Sequence, residues 1–206
     1  TEQAQNALLK TIEEPPVYAI IILLTENCDS LLPTIRSRCV TLTMNPVEKD
    51  KICTYLENKF QLEPEQAQIA ANYCQGNIGK AIRFASSSDF IEMKNQVLKL
   101  LKNLDSMDIA SIIDTIKEFS THKNDINDYL DLMLLWYRDV LMFKVTKDAN
   151  LLLYSDEYSA ISEQATKRDY ENIENIIAAI DKAKVRLKAN VNFDVTIELM
   201  ILAMKD

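Results

Sequence analysis

The sequence predicts a mainly α-helical protein with a short α/β segment near its N-terminus. Only 2 glycines and 5 prolines occur in 206 residues, so few left-handed turns or tight hairpins can form. Apolar residues recur with helical period from residue 46 onward, whereas the apolar run at 19–24 has the length of a strand. We therefore expect two short strands near the N-terminus and helices elsewhere.

The first predicted element is a helix over residues 1–14. Thr1 can cap its first turn, and Pro15 and Pro16 end it, because proline lacks the N–H that a continuing helix needs. Its apolar residues are expected to share one face: Ala4, Ala7, Leu8 and Ile12.

Two short strands are predicted next. Residues 18–25 are apolar and rich in β-branched side chains, as in a strand buried on both faces of a parallel sheet. A second strand is predicted at 40–44, after a helical turn at 32–37 that Pro33 can begin. Two strands cannot form a sheet covered on both faces. We therefore expect residues 1–45 to be the C-terminal part of an α/β domain, and the chain to be a fragment.

The remainder of the chain is expected to be helical. Three short helices predict a small bundle within residues 46–88, and longer helices fill residues 89–206. Residues Ser86–Ser88 are the predicted linker between these parts. The predicted helices are 47–61, 64–73, 77–85, 89–103, 106–119, 125–147, 156–166, 169–189 and 193–204.

Several kinds of active site are disfavoured by the residues available. Gly76 and Gly79 are the only glycines, and neither GxxxxGK[ST] nor GxGxxG can be written with that pair. His122 is the only histidine and lies in a polar run, as solvated loop residues do. The 4 cysteines lack the spacing of zinc ligands. We expect no nucleotide-phosphate loop and no metal site in this chain.

The net charge and the hydropathy pattern indicate the cellular compartment of the protein and the classes of partner that it can bind. The net charge is −8, which argues against independent nucleic-acid binding, because phosphate neutralisation needs clustered Lys and Arg. There is no run of 18 apolar residues and no pattern of a disulfide framework. The sequence therefore favours the reducing cytoplasm and no membrane partner.

One combination of motifs is specific. Residues 5–16, QNALLKTIEEPP, precede the apolar run, and residues 32–39, LPTIRSRC, follow it. Together they resemble the second half of the AAA+ module of DNA polymerase clamp-loader subunits. The resemblance implies that Arg38, within Ser37-Arg38-Cys39, is an arginine finger that reaches the nucleotide site of a neighbouring subunit. In a simpler interpretation, the arginine stabilises a helix C-terminus and pairs with Glu13 or Glu14.

The same family keeps two sensors of bound nucleotide. The first is a polar residue after a strand, and the resemblance puts it at Thr25-Glu26-Asn27, where Glu26 departs from the usual Thr or Asn. The second is an arginine in a lid motif that resembles residues 76–81. Gly79 occupies its position, so this arginine is absent, and Lys80 and Arg83 are displaced around the helix. In the simpler interpretation, Gly76 ends one helix and Asn77 caps the next.

The resemblance implies three domains: residues 1–45 of the AAA+ α/β domain, a three-helix lid at 46–88 and a helical collar at 89–206. Two stretches, 135–141 and 187–193, resemble the collar, which joins subunits into a ring. The implied class of subunit lends its finger without hydrolysing ATP. This chain would then bind no cofactor, with ATP and Mg²⁺ held by a neighbour. The implied partners are gamma/tau and delta subunits and, through the complex, the sliding clamp and primed DNA.

Two other functions are left open by the sequence. The chain could come from a gamma/tau-type subunit that hydrolyses ATP, although Gly79 disfavours this. It could also be a helical adaptor with no connection to ATPases, in which Arg38 only caps a helix.

Overall fold

The protein folds into two compact units, Thr1–Asn45 and Pro46–Asp206. The computed structural model describes residues 1–86 and 89–205, and these are mainly helical, as predicted. The predicted linker at Ser86–Ser88 falls mostly outside the described residues. The division of residues 46–206 into a lid and a collar stays a prediction, because the described helices on both sides of residue 88 contribute to one continuous apolar core.

The helices of the second unit begin and end within a few residues of the predicted positions. The first unit contains α1 (Glu2–Glu13) and α2 (Pro33–Arg36). The described helices of the second unit are α3 (Lys49–Phe60), α4 (Pro64–Tyr73), α5 (Ile78–Ser86), α6 (Asp89–Asn103), α7 (Ile109–Ser120), α8 (Ile126–Thr146), α9 (Tyr158–Lys167), α10 (Tyr170–Lys188) and α11 (Phe193–Lys205).

Local capping explains several of these boundaries. The Thr1 side chain accepts a hydrogen bond from the Ala4 N–H at the start of α1. At the start of α7 and of α10, the side chains of Asp108 and Asp169 each accept a backbone N–H three residues later. Pro64 occupies the first position of α4, where its missing N–H costs nothing. Caps of this kind are visible in a sequence, so the helix starts were predictable.

The two predicted strands are not confirmed. Residues 1–86 and 89–205 contain no strand, and residues 18–25 and 40–44 have no neighbouring backbone in a hydrogen-bonded ladder. Strand structure requires such a partner. Their apolar side chains are also not buried as expected: Ile20 is 89% exposed and Leu42 is 82% exposed.

The apolar face predicted for α1 is wrong at three of its four residues. Leu8 is 42% exposed, and Ala4 and Ala7 are exposed as well, whereas Ile12 is half-buried as expected. The other half-buried positions are Gln5 and Leu9, which with Ile12 have the i, i+4, i+7 spacing of one helix face. A glutamine therefore takes part in the covered side of this helix, and α1 contacts α2 along the first unit.

Helix α8 lies at the centre of the second unit and packs against α6, α9 and α10. Trp136 in α8 is fully buried, and its indole N–H donates to Gln164 of α9 at 3.0 Å. The Gln164 amide in turn donates to the backbone carbonyl of Leu101 in α6 at 2.8 Å. One glutamine thus satisfies buried polar groups from two other helices. A second group of helices in this unit, α3, α4 and α5, pack against one another.

Candidate functional site

The segment that carries Arg38 is short and anchored by one apolar residue. Pro33 occupies the first turn of α2, and Ile35, at 1% exposure, is buried. Backbone hydrogen bonds continue beyond the helix, since the Arg38 N–H donates to the Ile35 carbonyl at 3.0 Å. The Ser37 hydroxyl donates to the Thr34 carbonyl at 3.1 Å. Arg38 therefore extends from a backbone that is fixed locally.

The guanidinium of Arg38 lies at the surface of the first unit with three partners. Its Nη2 is 2.6 Å from Glu13 Oε1, and its Nη1 donates to the Thr34 carbonyl at 2.8 Å. Nη1 also contacts the Ser37 hydroxyl at 3.4 Å. The pairing with Glu13 expected in the simpler interpretation is thus present. Both side chains are well exposed, at 39% and 46%, and such surface pairs contribute only ~0 to 1 kcal/mol.

A second arginine in this segment is a natural control for the first. Arg36 lies two residues earlier, and its Nη1 donates to Asp29 Oδ1 at 2.9 Å. Its side chain is 47% exposed and Asp29 is 82% exposed. Cys39, the last residue of the motif, is exposed and carries a free thiol. Both arginines are partly exposed and pair with an exposed carboxylate, but Arg36 ends α2 and Arg38 lies two residues beyond it, in Ser37-Arg38-Cys39.

The predicted first-sensor residues form a local turn before α2. The Thr25 hydroxyl donates to the Asn27 carbonyl at 2.8 Å, and the Asn27 side chain accepts from the Asp29 N–H at 2.8 Å. The Ser30 hydroxyl donates to the same Asn27 carbonyl at 2.6 Å. Glu26 is exposed. The polar groups of Thr25 and Asn27 thus hold the chain in a compact turn that leads to residues 32–39, defined here as the arginine segment.

The turn around Gly76 has the capping arrangement that the sequence indicates. Gly76 adopts a left-handed φ of 81°, which favours glycine, and its carbonyl accepts from the Val47 N–H at 3.0 Å. The Asn77 side chain accepts from the Lys80 N–H at 3.0 Å at the start of α5. Gly79 follows in the first turn of this helix, so no side chain extends from the position predicted for the second sensor.

The two cations near Gly79, Lys80 and Arg83, pair with acids of α8. Lys80 pairs with Asp131 and lies 3.2 Å from Asp128, both in α8, and Arg83 pairs with Asp128. Lys184 of α10 also contacts Asp131, at 2.5 Å. These charges form an ionic cluster, defined here as Lys80, Arg83, Asp128, Asp131 and Lys184. It joins three helices of the second unit.

The electrostatics of the ionic cluster are visible in two pKa shifts. Burial alone would lower the pKa of Lys80, but hydrogen bonds and charges from Asp131 and Asp128 outweigh it and raise that pKa above its usual 10.5. Burial likewise opposes ionisation of Asp131, yet hydrogen bonds from Lys184 and Lys80 hold its pKa below the usual 3.8. Each group thus stabilises the charged form of the other.

Comparison with known proteins finds similarity over the part of the chain that contains Arg38. Residues 1–48 match the family model described as DNA polymerase III, delta subunit. The chain is 32% identical to the DNA polymerase III subunit delta' of Bacillus subtilis, in an alignment of 209 residues that covers 100% of this chain and 63% of that protein. The chain is a relative of the bacterial DNA polymerase III delta' subunits.

Other relatives are similar over shorter parts. The delta' subunit of Escherichia coli is 34% identical over 82 residues, covering 40% of this chain and 25% of that protein. The tau subunit of Bacillus subtilis is 26% identical over 162 residues, covering 68% of this chain and 29% of that protein. The chain thus spans less than two thirds of the length of these delta' and tau relatives.

The stretches that resemble a collar are placed differently from one another. In α8, Trp136, Tyr137 and Val140 are fully buried, so this stretch forms core. In the stretch 187–193, Leu187 is half-buried and Val191 is 45% exposed. Helix α11 presents three further exposed apolar residues at i, i+4, i+7 spacing, each 42–48% exposed. These residues, Val195, Leu199 and Leu202, define the α11 stripe.

The residues described contain no cluster of His, Cys, Asp and Glu that could hold a metal ion. Within the same ranges, 1–86 and 89–205, no helix is long and apolar enough to cross a bilayer.

Two features of the site were missed by sequence reasoning. The ionic cluster was missed because its partners are separated by about fifty residues, as with Lys80 and Asp131, 51 positions apart. The side chain of Gln5 was missed as well, although it contacts backbone groups of Ser30 and Leu32. The only local signal for Gln5 was its place on a helix in register with Leu9 and Ile12.

Proposed function

We propose that this chain is part of a delta'-type subunit of the DNA polymerase III clamp loader. In this role it helps to load the sliding clamp on primed DNA, and Arg38 acts in trans on ATP bound by a neighbouring subunit. The similarity to delta' subunits supports the proposal. The observation that carries it is the surface guanidinium of Arg38, whose backbone is fixed locally and whose one ionic partner in the first unit, Glu13, is exposed.

The chemistry of an arginine suits the proposed step. A guanidinium can donate two parallel hydrogen bonds to phosphate oxygens and stabilise the charge that develops during phosphoryl transfer. Such a finger is worth ~10³ to 10⁵ in rate, or about 4 to 7 kcal/mol of barrier. The pair with Glu13 is an order of magnitude weaker. A nearby triphosphate would therefore displace Glu13 at small cost.

We infer that this chain itself does not hydrolyse ATP. Gly79 offers no side chain at the second-sensor position, and Lys80 and Arg83 are paired with acids of α8. Its two glycines, Gly76 and Gly79, cannot form a phosphate-binding loop. In this proposal the chain binds no cofactor, and ATP with Mg²⁺ is held by a neighbouring gamma/tau subunit. The complex acts in the cytoplasm, with no membrane partner.

The second proposed contribution is assembly through the collar segment, residues 89–206. The α11 stripe supports this role, because three aligned apolar side chains on one helix face are suited to packing against another helix. The proposed partners at this surface are the gamma/tau and delta subunits. The contact with clamp and DNA is then made by the assembled complex, which also supplies the basic surface that a chain of charge −8 lacks.

The deciding experiment is Arg38→Ala in the full-length protein, reconstituted with the other clamp-loader subunits. We expect DNA-stimulated ATP hydrolysis by the complex to fall ~10³-fold or more while assembly is unchanged. Arg38→Lys keeps the positive charge but cannot donate two parallel hydrogen bonds to a phosphate, so we expect ATP hydrolysis to remain strongly impaired. Arg36→Ala is the matched control and is expected to have almost no effect. A loss below about threefold for Arg38→Ala, close to what a surface ion pair contributes, would favour the adaptor alternative.

A gamma/tau-type function is the second candidate, favoured by the similarity to tau over 68% of this chain. It predicts that the isolated full-length protein binds and turns over ATP. The delta'-type function predicts no turnover by that protein alone. Measuring ATP hydrolysis with the purified subunit separates the two.

A further inference from the structure

The side chain of Gln5 makes two hydrogen bonds to backbone far along the chain. Its Nε2 donates to the Ser30 carbonyl at 3.0 Å, and its Oε1 accepts from the Leu32 N–H at 2.8 Å. The two contacts are 25 and 27 positions from Gln5 in sequence. A single amide thus pairs with the main chain on either side of Leu31, as a neighbouring backbone would.

Leu32 is the residue from which the arginine segment starts. Its carbonyl accepts the Ile35 N–H at 3.0 Å and the Arg36 N–H at 3.1 Å, which closes the first turn of α2. Its own side chain provides no cap, so the N-terminus of α2 depends on other groups. The Arg38 N–H then bonds the Ile35 carbonyl. The path from the Gln5 amide to Arg38 is therefore one short, hydrogen-bonded turn.

Ser30 links the same amide to the predicted first-sensor turn. While its carbonyl accepts from Gln5, its hydroxyl contacts the Thr25 hydroxyl at 3.2 Å and donates to the Asn27 carbonyl. One side chain of α1 thus touches the point where the Thr25–Asn27 turn ends and the arginine segment begins.

A second contact between α1 and the arginine segment lies near the other end of this helix. Glu13 pairs with the guanidinium of Arg38, about 12 Å along the axis from Gln5 at 1.5 Å per residue. The two contacts differ in kind. Glu13 must release Arg38 when a phosphate binds, whereas the bonds of Gln5 are to backbone and can persist throughout.

We propose that Gln5 is a positioning residue for Arg38. Its amide sets the distance between α1 and the start of α2, and so the place from which the guanidinium reaches a neighbour's nucleotide. This inference rests on the proposed function of Arg38. Misplacement by about 1 Å can cost ~10²-fold in rate, so a loosened segment lowers turnover without removing the reacting group.

The test uses the full-length protein in the reconstituted clamp loader. Gln5→Ala removes both bonds, and we expect kcat for DNA-stimulated ATP hydrolysis to fall about 5- to 50-fold with little change in KM for ATP, as for a misplaced group. Gln5→Glu keeps the acceptor for the Leu32 N–H but loses the donor to Ser30, so it is expected to fall between wild type and Gln5→Ala. Gln3→Ala, an exposed glutamine on the opposite side of α1, is the matched control.

A double-mutant cycle distinguishes positioning from general stabilisation. If Gln5 acts through Arg38, then Gln5→Ala causes no further loss in an Arg38→Ala background. A multiplicative loss in the double variant would overturn the inference, because Gln5 would then affect turnover independently of Arg38. Hydrogen exchange provides a direct readout: the Leu32 amide is expected to exchange faster in Gln5→Ala and unchanged in Gln3→Ala.

The outcomes also separate this inference from the proposed function. If Arg38→Ala is strongly impaired in ATP hydrolysis and Gln5→Ala is as active as wild type, the role of Gln5 is wrong and the proposed role of Arg38 is retained. If Arg38→Ala itself is fully active, the proposed function fails, and the role of Gln5 in catalysis fails with it.

Discussion

Replacing Gly76 by alanine tests the turn that joins α4 to α5. A Cβ added at Gly76 would lie 2.5 Å from the Pro46 Cβ and 3.0 Å from the Val47 nitrogen. These neighbours include backbone, which cannot move aside as a flexible side-chain end could. Gly76 also has a φ of 81°, a conformation that alanine rarely adopts. We therefore expect Gly76→Ala to destabilise the protein.

The size of this effect follows from three contributions. The left-handed conformation costs alanine about 1–2 kcal/mol, and the forced displacement of Pro46 costs about 1–3 kcal/mol. Displacement also weakens the hydrogen bond from the Val47 N–H to the Gly76 carbonyl, worth about 1 kcal/mol. Since relief of the clash relaxes part of the strain, we expect a total of about 3 kcal/mol. For a chain of this size that lowers Tm by roughly 6–12 °C.

Gly79→Ala is the matched control in the same motif. A Cβ at Gly79 meets only the Asn77 side-chain oxygen, at 3.2 Å, and no left-handed φ is involved. Alanine favours the helix by up to about 1 kcal/mol over glycine, while the tight contact presses on the Asn77 oxygen that caps α5, a cap worth about 1 kcal/mol. We therefore expect a net change of stability within about 1 kcal/mol. Urea unfolding followed by far-UV circular dichroism measures both variants. Equal midpoints for Gly76→Ala and Gly79→Ala would refute the argument from φ and the close approach to Pro46.

Two further predictions concern buried charge. Asp139 is fully buried, and its Oδ2 accepts the Leu153 and Tyr154 N–H groups at 2.7 and 2.8 Å. Asp139→Asn weakens both hydrogen bonds, so we expect the free energy of unfolding to fall by about 2–4 kcal/mol. Urea unfolding measures this, and a fall under about 0.5 kcal/mol would contradict the argument. The pKa of Asp131 is lowered in the folded protein. Its ionised form therefore contributes fully to the free energy of unfolding above the usual pKa of 3.8, and this contribution is lost as the pH falls through the pKa of the folded state. Asp131→Asn should therefore destabilise by about 1–2 kcal/mol at pH 7 and by less near pH 3, whereas an effect independent of pH would show that ionisation of Asp131 is not involved.

The sequence predicted best where the cause of a structure is local. The helix α6 (Asp89–Asn103) was placed at its observed bounds, and α10 (Tyr170–Lys188) differed by one residue at each end. Capping side chains, prolines and the 3.6-residue repeat act within a turn or two. The motif around Arg38 was equally local, and its pairing with Glu13 was among the stated alternatives.

The failures have one physical origin. Apolar, β-branched composition over residues 18–25 indicated a strand, but a strand depends on hydrogen bonds from another segment, and the described chain provides none there. For α1, apolar spacing did not predict that Gln5 is half-buried, because its partners, the backbone of Ser30 and Leu32, are distant in sequence. The covered face of a helix depends on what it contacts as well as on which residues are apolar.

By itself, the sequence determined the positions of the helices in the second unit and the motif that contains Arg38. Tertiary structure alone decided that Lys80 pairs with Asp131 and that the Gln5 side chain bonds the Leu32 N–H. The physical reason is range: caps and helical periods act between neighbours in sequence, whereas charges and amides pair with whichever groups the packed helices bring within about 3 Å.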